Sequence, residues 1–443
     1  MISANEYASR REKVFEKMAE GSALVVFSGL AKKSSADETY PFEVNRNFYY
    51  LTGIQQEDSA LLLVKVPGDR EAFLFISDFD PVKEKWYGRK LTPLEARASS
   101  GVNNVLVGAS NALEAKLKGI LDADDAQFGK VHTLYLDLEE EQKVNAEGGS
   151  IDDFSRAMSI AYDVQIRDCY PLIVRLRMVK SEAEIAELRE AIRITKLGIL
   201  GVMAKARVGV KEYELADEFL RIVNDNSAYQ GLAFPTIMAS GAHGACLHYP
   251  TPLDEVKLGD LILMDLGARN GLYCADVTRT IPSSGTYSDF QRTVYEIVLG
   301  CNQAVASFAR PGVTLGELND HTIEYLASEC YTKGLINRKE DIVNYYFHHV
   351  SHSIGLDTHD PIYSEVDPEP GKRYAGRDKD YYNIPLVAGM VISDEPGLYM
   401  ADRGIGIRVE DDLLITSNGC ERLTEAIFES PADIEAFYAN GRK

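Results

Sequence analysis

Between residues 22 and 138 short runs of β-branched and apolar residues recur, each bounded by glycine, serine or aspartate. "SALVVFSG", "SALLLVKV", "EAFLFIS", "NNVLVG" and "HTLYLDL" read as strands. "NALEAKLKGIL", between the last two, has the spacing of a helix. Alternation of this kind predicts an α/β domain over residues 1–174. The period then lengthens. "KSEAEIAELREAIRITKLGILGVM" opens with Ser181 and Glu184, the two members of a capping box, and continues with Ile185, Leu188, Ile192 and Ile199 on one helical face. A second helix comes next, with Leu215, Phe219 and Ile222 on one side.

The junction between these two helices, "ARVGVKEYELAD" at 206–217, returns at 309–320 as "ARPGVTLGELND". Without gaps the two share A-R-x-G-V-x-x-x-E-L-x-D, again between helical segments. The chain downstream of each copy is parallel too: a helix, a loop with histidines, then a pair of strands that carries two acids. The acids are Asp265 and Asp276 in the first half, Glu395 and Glu410 in the second. The pattern predicts a duplicated domain over 175–443, two facing half-units whose shared site receives two acids from each.

Within "MDLGARNGLYCADVTRT" (264–280), Asn270-Gly271 suits a two-residue type I′ turn. That turn pairs Arg269 with Leu272 and sets Asp265 directly opposite Asp276, while Met264 and Leu266 face Val277 and Ala275. Two like charges opposite each other destabilise a ladder unless something lies between them. In "GIGIRVEDDLLIT", Ile405, Ile407 and Val409 alternate with Gly406, Arg408 and Glu410, so Arg408 and Glu410 share a face. Glu395 precedes Pro396, which favours an extended backbone there.

A single acid or histidine in such places is usually solvated or structural. Here six of the eight histidines fall in two short windows beside the acid-bearing strands. His243 and His248 lie in "SGAHGACLHYP"; His348, His349, His352 and His359 lie in "FHHVSHSIGLDTHDP". Converging carboxylates repel one another and hold protons unless a cation lets them ionise. An oxygen-rich set with one imidazole favours Mn²⁺ or a similar ion over structural zinc. Two such ions can hold a bridging hydroxide as nucleophile at neutral pH, so the expected chemistry is hydrolysis.

Composition narrows the rest. The 443 residues exceed a single core, and 45% hydrophobic with 26% charged residues is a globular composition. A formal charge of −21 argues against a nucleic-acid binder. No apolar run approaches bilayer length, and "MISANEYASRREKVFEKMAEG" has no signal-peptide core, so no membrane association is expected. Cys169, Cys246, Cys274, Cys301, Cys330 and Cys420 are scattered with no C-x-x-C pair, which points to reduced thiols in a cytoplasmic protein.

Four segments, "MDLGARNGLYCADVTRT", "HHVSHSIGLDTHD", "VISDEPGLYM" and "GIGIRVEDDLLIT", resemble the metal-binding segments of the pita-bread metallopeptidases, most closely the aminopeptidase P (Xaa-Pro aminopeptidase) family, with prolidase next. "SSADETYPFEVNRNFYYLTGI" and "KWYGRKL" are similar to that family's amino-terminal domain. The resemblance implies an α+β protein, with an aminopeptidase P-like α/β domain ahead of a catalytic pita-bread domain of duplicated ααββ-type halves. It implies cleavage between an N-terminal residue and a penultimate proline, with two divalent ions, most often Mn²⁺, and a homo-oligomer, dimer or tetramer, acting on proline-containing peptides.

Position by position, the same resemblance implies that Asp265 binds one metal, Asp276 and Glu410 bridge both, and His352 and Glu395 complete the other. It implies that Glu395 passes the proton of the attacking water and that His248 and His359 contact the substrate carbonyl. His348 would line the proline pocket, with Tyr399 and Arg408 supporting the site. Trp86, the one tryptophan, matches a residue that approaches a neighbouring subunit's site, and Asp37 an acid near the substrate amine. A prolidase shares every metal ligand but takes only dipeptides; a methionine aminopeptidase generally lacks such an N-terminal domain. Creatinase and metal-free pita-bread binding modules differ in the ligand set, and all five ligands are present here. Segment 366–383, "VDPEPGKRYAGRDKDYYN", matches nothing assignable, and His243 and His349 read as surface or supporting polar residues.

Overall fold

The computed structural model describes residues 2–123, 125, 127–138, 150–362 and 381–441, apart from the side chains of 83, 110 and 381. Segment 366–383 therefore lies, as far as residue 380, outside the described residues. The chain divides into two compact units, one running to Arg177 and the other beginning at Met178.

The first unit is built on one mixed six-stranded sheet. Its strands are β1 (Ser22–Phe27), β2 (Ala60–Val66), β3 (Asp69–Ile76), β4 (Asn104–Val107), β5 (Thr133–Leu136) and β6 (Gln165–Asp168), in the order β4-β3-β2-β1-β5-β6. β1, β2 and β3 pair antiparallel, while β4, β5 and β6 join in parallel. The five apolar runs of the sequence are the first five strands. β6 escapes that reading because "QIRD" is polar and half exposed, with no buried face to give a pattern. Leu113, Leu117 and Ile120 of the helix Ala109–Leu121 close one core with Val25, Leu62, Phe75 and Leu134.

In the second unit the helix Glu182–Lys205 starts at Ser181, whose side chain and that of Glu184 cap each other's backbone, and it buries Ile185, Leu188, Ile192 and Ile199. The helix Glu212–Asn226 comes after it, and the pair Asp289–Phe308 and Leu315–Thr332 repeats the arrangement. The repeated junctions share more than letters. Gly209 and Gly312 both adopt left-handed backbone, at φ +87° and +90°. Gly209 N donates to Val256 O (2.8 Å) and Val256 N returns a bond to Val210 O (2.9 Å). Gly312 and Leu386 exchange the same bonds, with Leu386 N returning to Val313 O, at 2.9 and 2.8 Å. Nine residues past Val256 stands Asp265, and nine past Leu386 stands Glu395. The duplication thus delivers these two acids to equivalent places.

Each half ends in short antiparallel sheets. β7 (Ile237–Ser240), β8 (Leu261–Leu266) and β11 (Val277–Pro282) form one, and the ribbon β9 (Arg269–Asn270) with β10 (Tyr273–Cys274) extends the β8–β11 connection. β12 (Val391–Asp394), β15 (Asp411–Ile415) and β16 (Cys420–Arg422) form the other, beside the pair β13 (Gly397–Met400) and β14 (Ile405–Arg408). The halves meet where Glu410 N donates to Thr278 O (3.0 Å) and the buried Arg279 donates to Asp411 Oδ1 (2.8 Å).

The register expected for the first hairpin is corrected by the structure. Asn270 pairs with Tyr273 and Arg269 with Cys274, so Asp265 faces Thr278, Met264 faces Arg279 and Leu266 faces Val277. The two left-handed residues are Gly271 (φ 54°) and Leu272 (φ 69°), one position later than Asn270-Gly271. Asn270 is tied into the ladder instead: its amide donates to Glu187, and Gly271 N donates to Gln230. Left-handed backbone costs a leucine roughly 1–2 kcal/mol, against which Leu272 buries its side chain. Moving the turn by one residue slides the pairing by two, which preserves the faces. Asp276 is consequently a diagonal neighbour of Asp265, not its opposite, and still shares its face.

Candidate metallopeptidase site

Asp276, His352 and Glu410 each bring one donor atom to a common point, all within 4.8 Å of one another. His352 Nε2 lies 3.4 Å from Asp276 Oδ2 and 3.5 Å from Glu395 Oε1. Asp265 enters through Arg408, whose Nη2 donates to its Oδ2 at 2.6 Å. The strands explain the convergence. Asp276 and Glu410 each stand one residue ahead of a strand, β11 and β15, and Glu395 stands one residue past β12.

The imidazole of His352 is preset as a ligand. Its Nδ1 faces the carbonyl of Ser353 at 3.1 Å, and a carbonyl only accepts, so Nδ1 carries the proton. Nε2 is left to present a lone pair to the acids. Its backbone is held by Ser393 Oγ, which accepts from His352 N (2.9 Å) and donates to Glu395 Oε1 (3.4 Å).

The electrostatics call for positive charge. Burial, then the neighbouring Asp265, Asp412 and Glu395, pushes Asp276 well above the ordinary carboxylate range. Burial, then Asp276, Glu395 and Asp265, does the same to Glu410, and burial raises Glu395. Asp265 Oδ1 is buried with no hydrogen-bond partner while its other oxygen holds Arg408. A carboxylate oxygen with no donor, beside buried acids whose hold on their protons is raised by burial and by one another's charge, suits a divalent cation. The donor set fits one.

A polar network backs this cluster. Tyr399 OH accepts from Arg408 Nη1 (3.1 Å) and donates to His348 Nε2 (2.8 Å), because His348 Nδ1 already donates to His349 O (2.8 Å). Burial drives His348 down to about 3, so the ring is neutral and free to accept. His359 stacks on His352 with ring centres 3.9 Å apart, and burial lowers it to about 4. His248, exposed on its loop, is near enough to His348 and His359 for its charge to disfavour theirs.

The structure therefore brings Asp265, Asp276, His248, His348, His352, His359, Glu395, Tyr399, Arg408 and Glu410 into one neighbourhood. Trp86 and Asp37 belong to the first unit, Trp86 in the helix Lys83–Tyr87 and Asp37 in a loop, both exposed. His349 stacks on Tyr382 at 3.9 Å. Sequence reasoning missed three supporting residues. Thr278 Oγ1 donates to Glu410 Oε2 (2.6 Å) and accepts from Arg408 Nε (3.1 Å). Asp412 Oδ2 accepts from Asp276 N (3.3 Å), and Ser393 links His352 to Glu395. Each lies two residues from an acid, at 276+2, 410+2 and 395−2. The period of two that placed Arg408 beside Glu410 finds all three when it is applied to every acid.

Comparison with known proteins agrees with this geometry. Residues 186–417 match metallopeptidase family M24, and residues 7–128 match the aminopeptidase P N-terminal domain. The chain is 32% identical to the Xaa-Pro aminopeptidase of Escherichia coli over all of this chain and 99% of that one. It is also 32% identical to the Haemophilus influenzae Xaa-Pro aminopeptidase, over 98% and 97%. A solved structure of zinc-substituted E. coli aminopeptidase P in complex with product superposes with a TM-score of 0.85 at 30% identity, covering 100% of this chain and 99% of that one. A duplicated helix-and-sheet domain, acids from both halves around one imidazole, and likeness over the full length together place the chain in metallopeptidase family M24, as a pita-bread enzyme of the Xaa-Pro aminopeptidase kind.

Proposed function

We propose that the chain hydrolyses the peptide bond between an N-terminal residue and a penultimate proline. One observation carries this reading: donor atoms of Asp276, His352 and Glu410 meet within 4.8 Å, in a chain resembling Xaa-Pro aminopeptidases from end to end. Asp265, Asp276, His352, Glu395 and Glu410 would hold two divalent cations, Mn²⁺ being the ion this oxygen-rich set favours. Such ions supply a nucleophile from water at neutral pH and polarise the scissile carbonyl.

The protein's own groups do the rest. Glu395 reaches the cluster from the end of β12, its Oε1 toward His352 and its Oε2 4.0 Å from His348 Nδ1. Those distances support its proposed role, which is to take the proton of the attacking water and deliver it to the proline nitrogen as the bond breaks. His359 and His248 offer N–H donors to the substrate carbonyl as negative charge develops on its oxygen. Neutral His348, fixed by Tyr399, presents a ring to the proline, and Arg408 orients Asp265 and Tyr399 together.

The assembly is proposed to be a homo-oligomer. Phe79, Val82, Trp86, Tyr87 and Leu94 are all more than 60% exposed within one short stretch of the first unit, an apolar surface that a second copy would cover. Trp86 and Asp37 are proposed to reach substrate in that assembly. Among the described residues no helix is long and apolar enough to cross a membrane, and none of the six cysteines is in a disulfide, which supports a cytoplasmic location.

Cleavage of Arg-Pro-Pro and of Gly-Pro by the Mn²⁺-loaded protein tests the reading. Release of arginine from the tripeptide is expected, with loss of activity on chelation. Cleavage of Gly-Pro alone would make the enzyme a prolidase, and cleavage of neither would end the proposal.

A further inference from the structure

His243 has no part in the chemistry above, yet its surroundings are specific. Glu212, the first residue of the helix Glu212–Asn226, has a fully buried side chain. Its Oε1 accepts from Ser240 N and Ser240 Oγ, both at 2.7 Å, and lies 3.2 Å from His243 Nδ1. Its Oε2 accepts from Asp254 N at 3.2 Å. Ser240 ends β7 and Asp254 closes the excursion beyond it, so one carboxylate ties both ends of the loop 241–253. Two backbone bonds add to the closure, Glu212 N to Asp254 O (3.0 Å) and Tyr213 N to Pro252 O (2.8 Å).

The His243 ring fills the middle of that loop. Its Nε2 lies 3.5 Å from Asp254 Oδ2, and its face stacks on Tyr249 with centres 4.4 Å apart and planes 19° from parallel. Tyr249 also packs against the cluster of Ile237, Leu263 and Tyr399, the last being the partner of His348 and Arg408. His248 is the residue immediately before Tyr249. Across the loop Gly244 meets β14 at Gly406, where a Cβ would lie 1.9 Å from Gly244 O. The other half solves the same problem differently. Leu315 stands where the repeat has Glu212, and Asn319, one turn further on, holds the His348 loop by accepting from Val350 N and Tyr346 OH.

We propose that Glu212 and His243 are positioning residues for the peptidase: they clamp the loop 241–253 through Tyr249, so that His248 is held where the substrate carbonyl arrives. This rests on the reading of His248 as a substrate-contacting group. His243→Ala, His243→Asn and Glu212→Gln in the full-length, Mn²⁺-loaded protein test it. Two quantities are followed: kcat and KM on Arg-Pro-Pro, and the rate at which diethyl pyrocarbonate labels His248, read by mass spectrometry. For His243→Ala a fall of about tenfold or more in kcat is expected, with metal content unchanged and KM moved less. Labelling of His248 is expected to accelerate severalfold. His243→Asn, whose amide can still donate to Glu212, should restore most of both. A His243→Ala enzyme within about twofold of wild type in kcat, with His248 labelled at the wild-type rate, would overturn the proposal. If the wild-type protein cleaves no Xaa-Pro peptide but the labelling responds as described, the peptidase reading fails and the clamp stands.

Discussion

Asp265 uses its two oxygens differently, and the consequences can be measured one residue at a time. Oδ2 is joined to Arg408, nearly fully buried, while Oδ1 has no hydrogen-bond partner. Arg408→Ala would leave a buried carboxylate uncompensated, a change that typically costs roughly 3–5 kcal/mol in folding stability. Urea denaturation should show that loss, and Arg408→Lys should recover part of it while failing to reach Asp265 and Tyr399 together. Asp276→Asn keeps the shape but removes a charged donor from the point shared with His352 and Glu410. It should lower bound metal, read by elemental analysis, and reduce kcat/KM by a factor on the order of a hundred or more. Protons compete with cations at these acids. Asp276, Glu395 and Glu410 all lie above their ordinary values, so metal binding must displace protons and apparent affinity must rise with pH. Calorimetric titration in buffers of different ionisation enthalpy would detect the proton release.

At the scale of elements, the duplication makes a paired prediction. Gly209 and Gly312 are left-handed, nothing lies within 4 Å of a Cβ added to either, and both are held by the same two backbone bonds. Gly209→Ala and Gly312→Ala should therefore each destabilise by about 1–2 kcal/mol, and by similar amounts. A large loss at one and none at the other would show that the two junctions are not equivalent. Much of this level was legible in the chain. Five strands of the first sheet, the Ser181–Glu184 cap and the repeated junction can be read from apolar period, capping chemistry and two twelve-residue strings. β6 was not legible, because a short polar edge strand has no buried face to betray it. The hairpin register was legible only to within one turn position. Asn270-Gly271 is the stronger local turn signal, but tertiary bonds from Asn270 to Glu187 and from Gly271 to Gln230 decide the outcome. The acids kept their common face because the slip was even. The candidate site was more legible than the sheet that carries it, since clustered histidines and alternating acids stand out without coordinates. Glu212 was invisible, its role depending on a loop that returns to it across more than forty residues of chain.

For the molecule as a whole, the acids drawn from both halves make stability depend on pH and metal together. Without cations, the folded chain binds more protons than the unfolded chain wherever the pH lies between ordinary carboxylate values and the raised values of Asp276, Glu395 and Glu410. Stability of the metal-free protein should accordingly fall as pH rises through that window. Added Mn²⁺ should restore it, by about 2.7 kcal/mol for each site at a hundredfold excess over its Kd. Thermal melts at several pH values, with and without chelator, would show the two curves diverging upward in pH; parallel curves would argue against a cation-dependent cluster. The most direct measurement is anomalous diffraction from crystals grown with Mn²⁺, collected at the manganese edge. Two peaks are predicted among Asp265, Asp276, His352, Glu395 and Glu410, separated by about 3.5–4 Å. A map with no peak among those five residues, at an Mn²⁺ concentration that supports cleavage of Arg-Pro-Pro, would contradict the account.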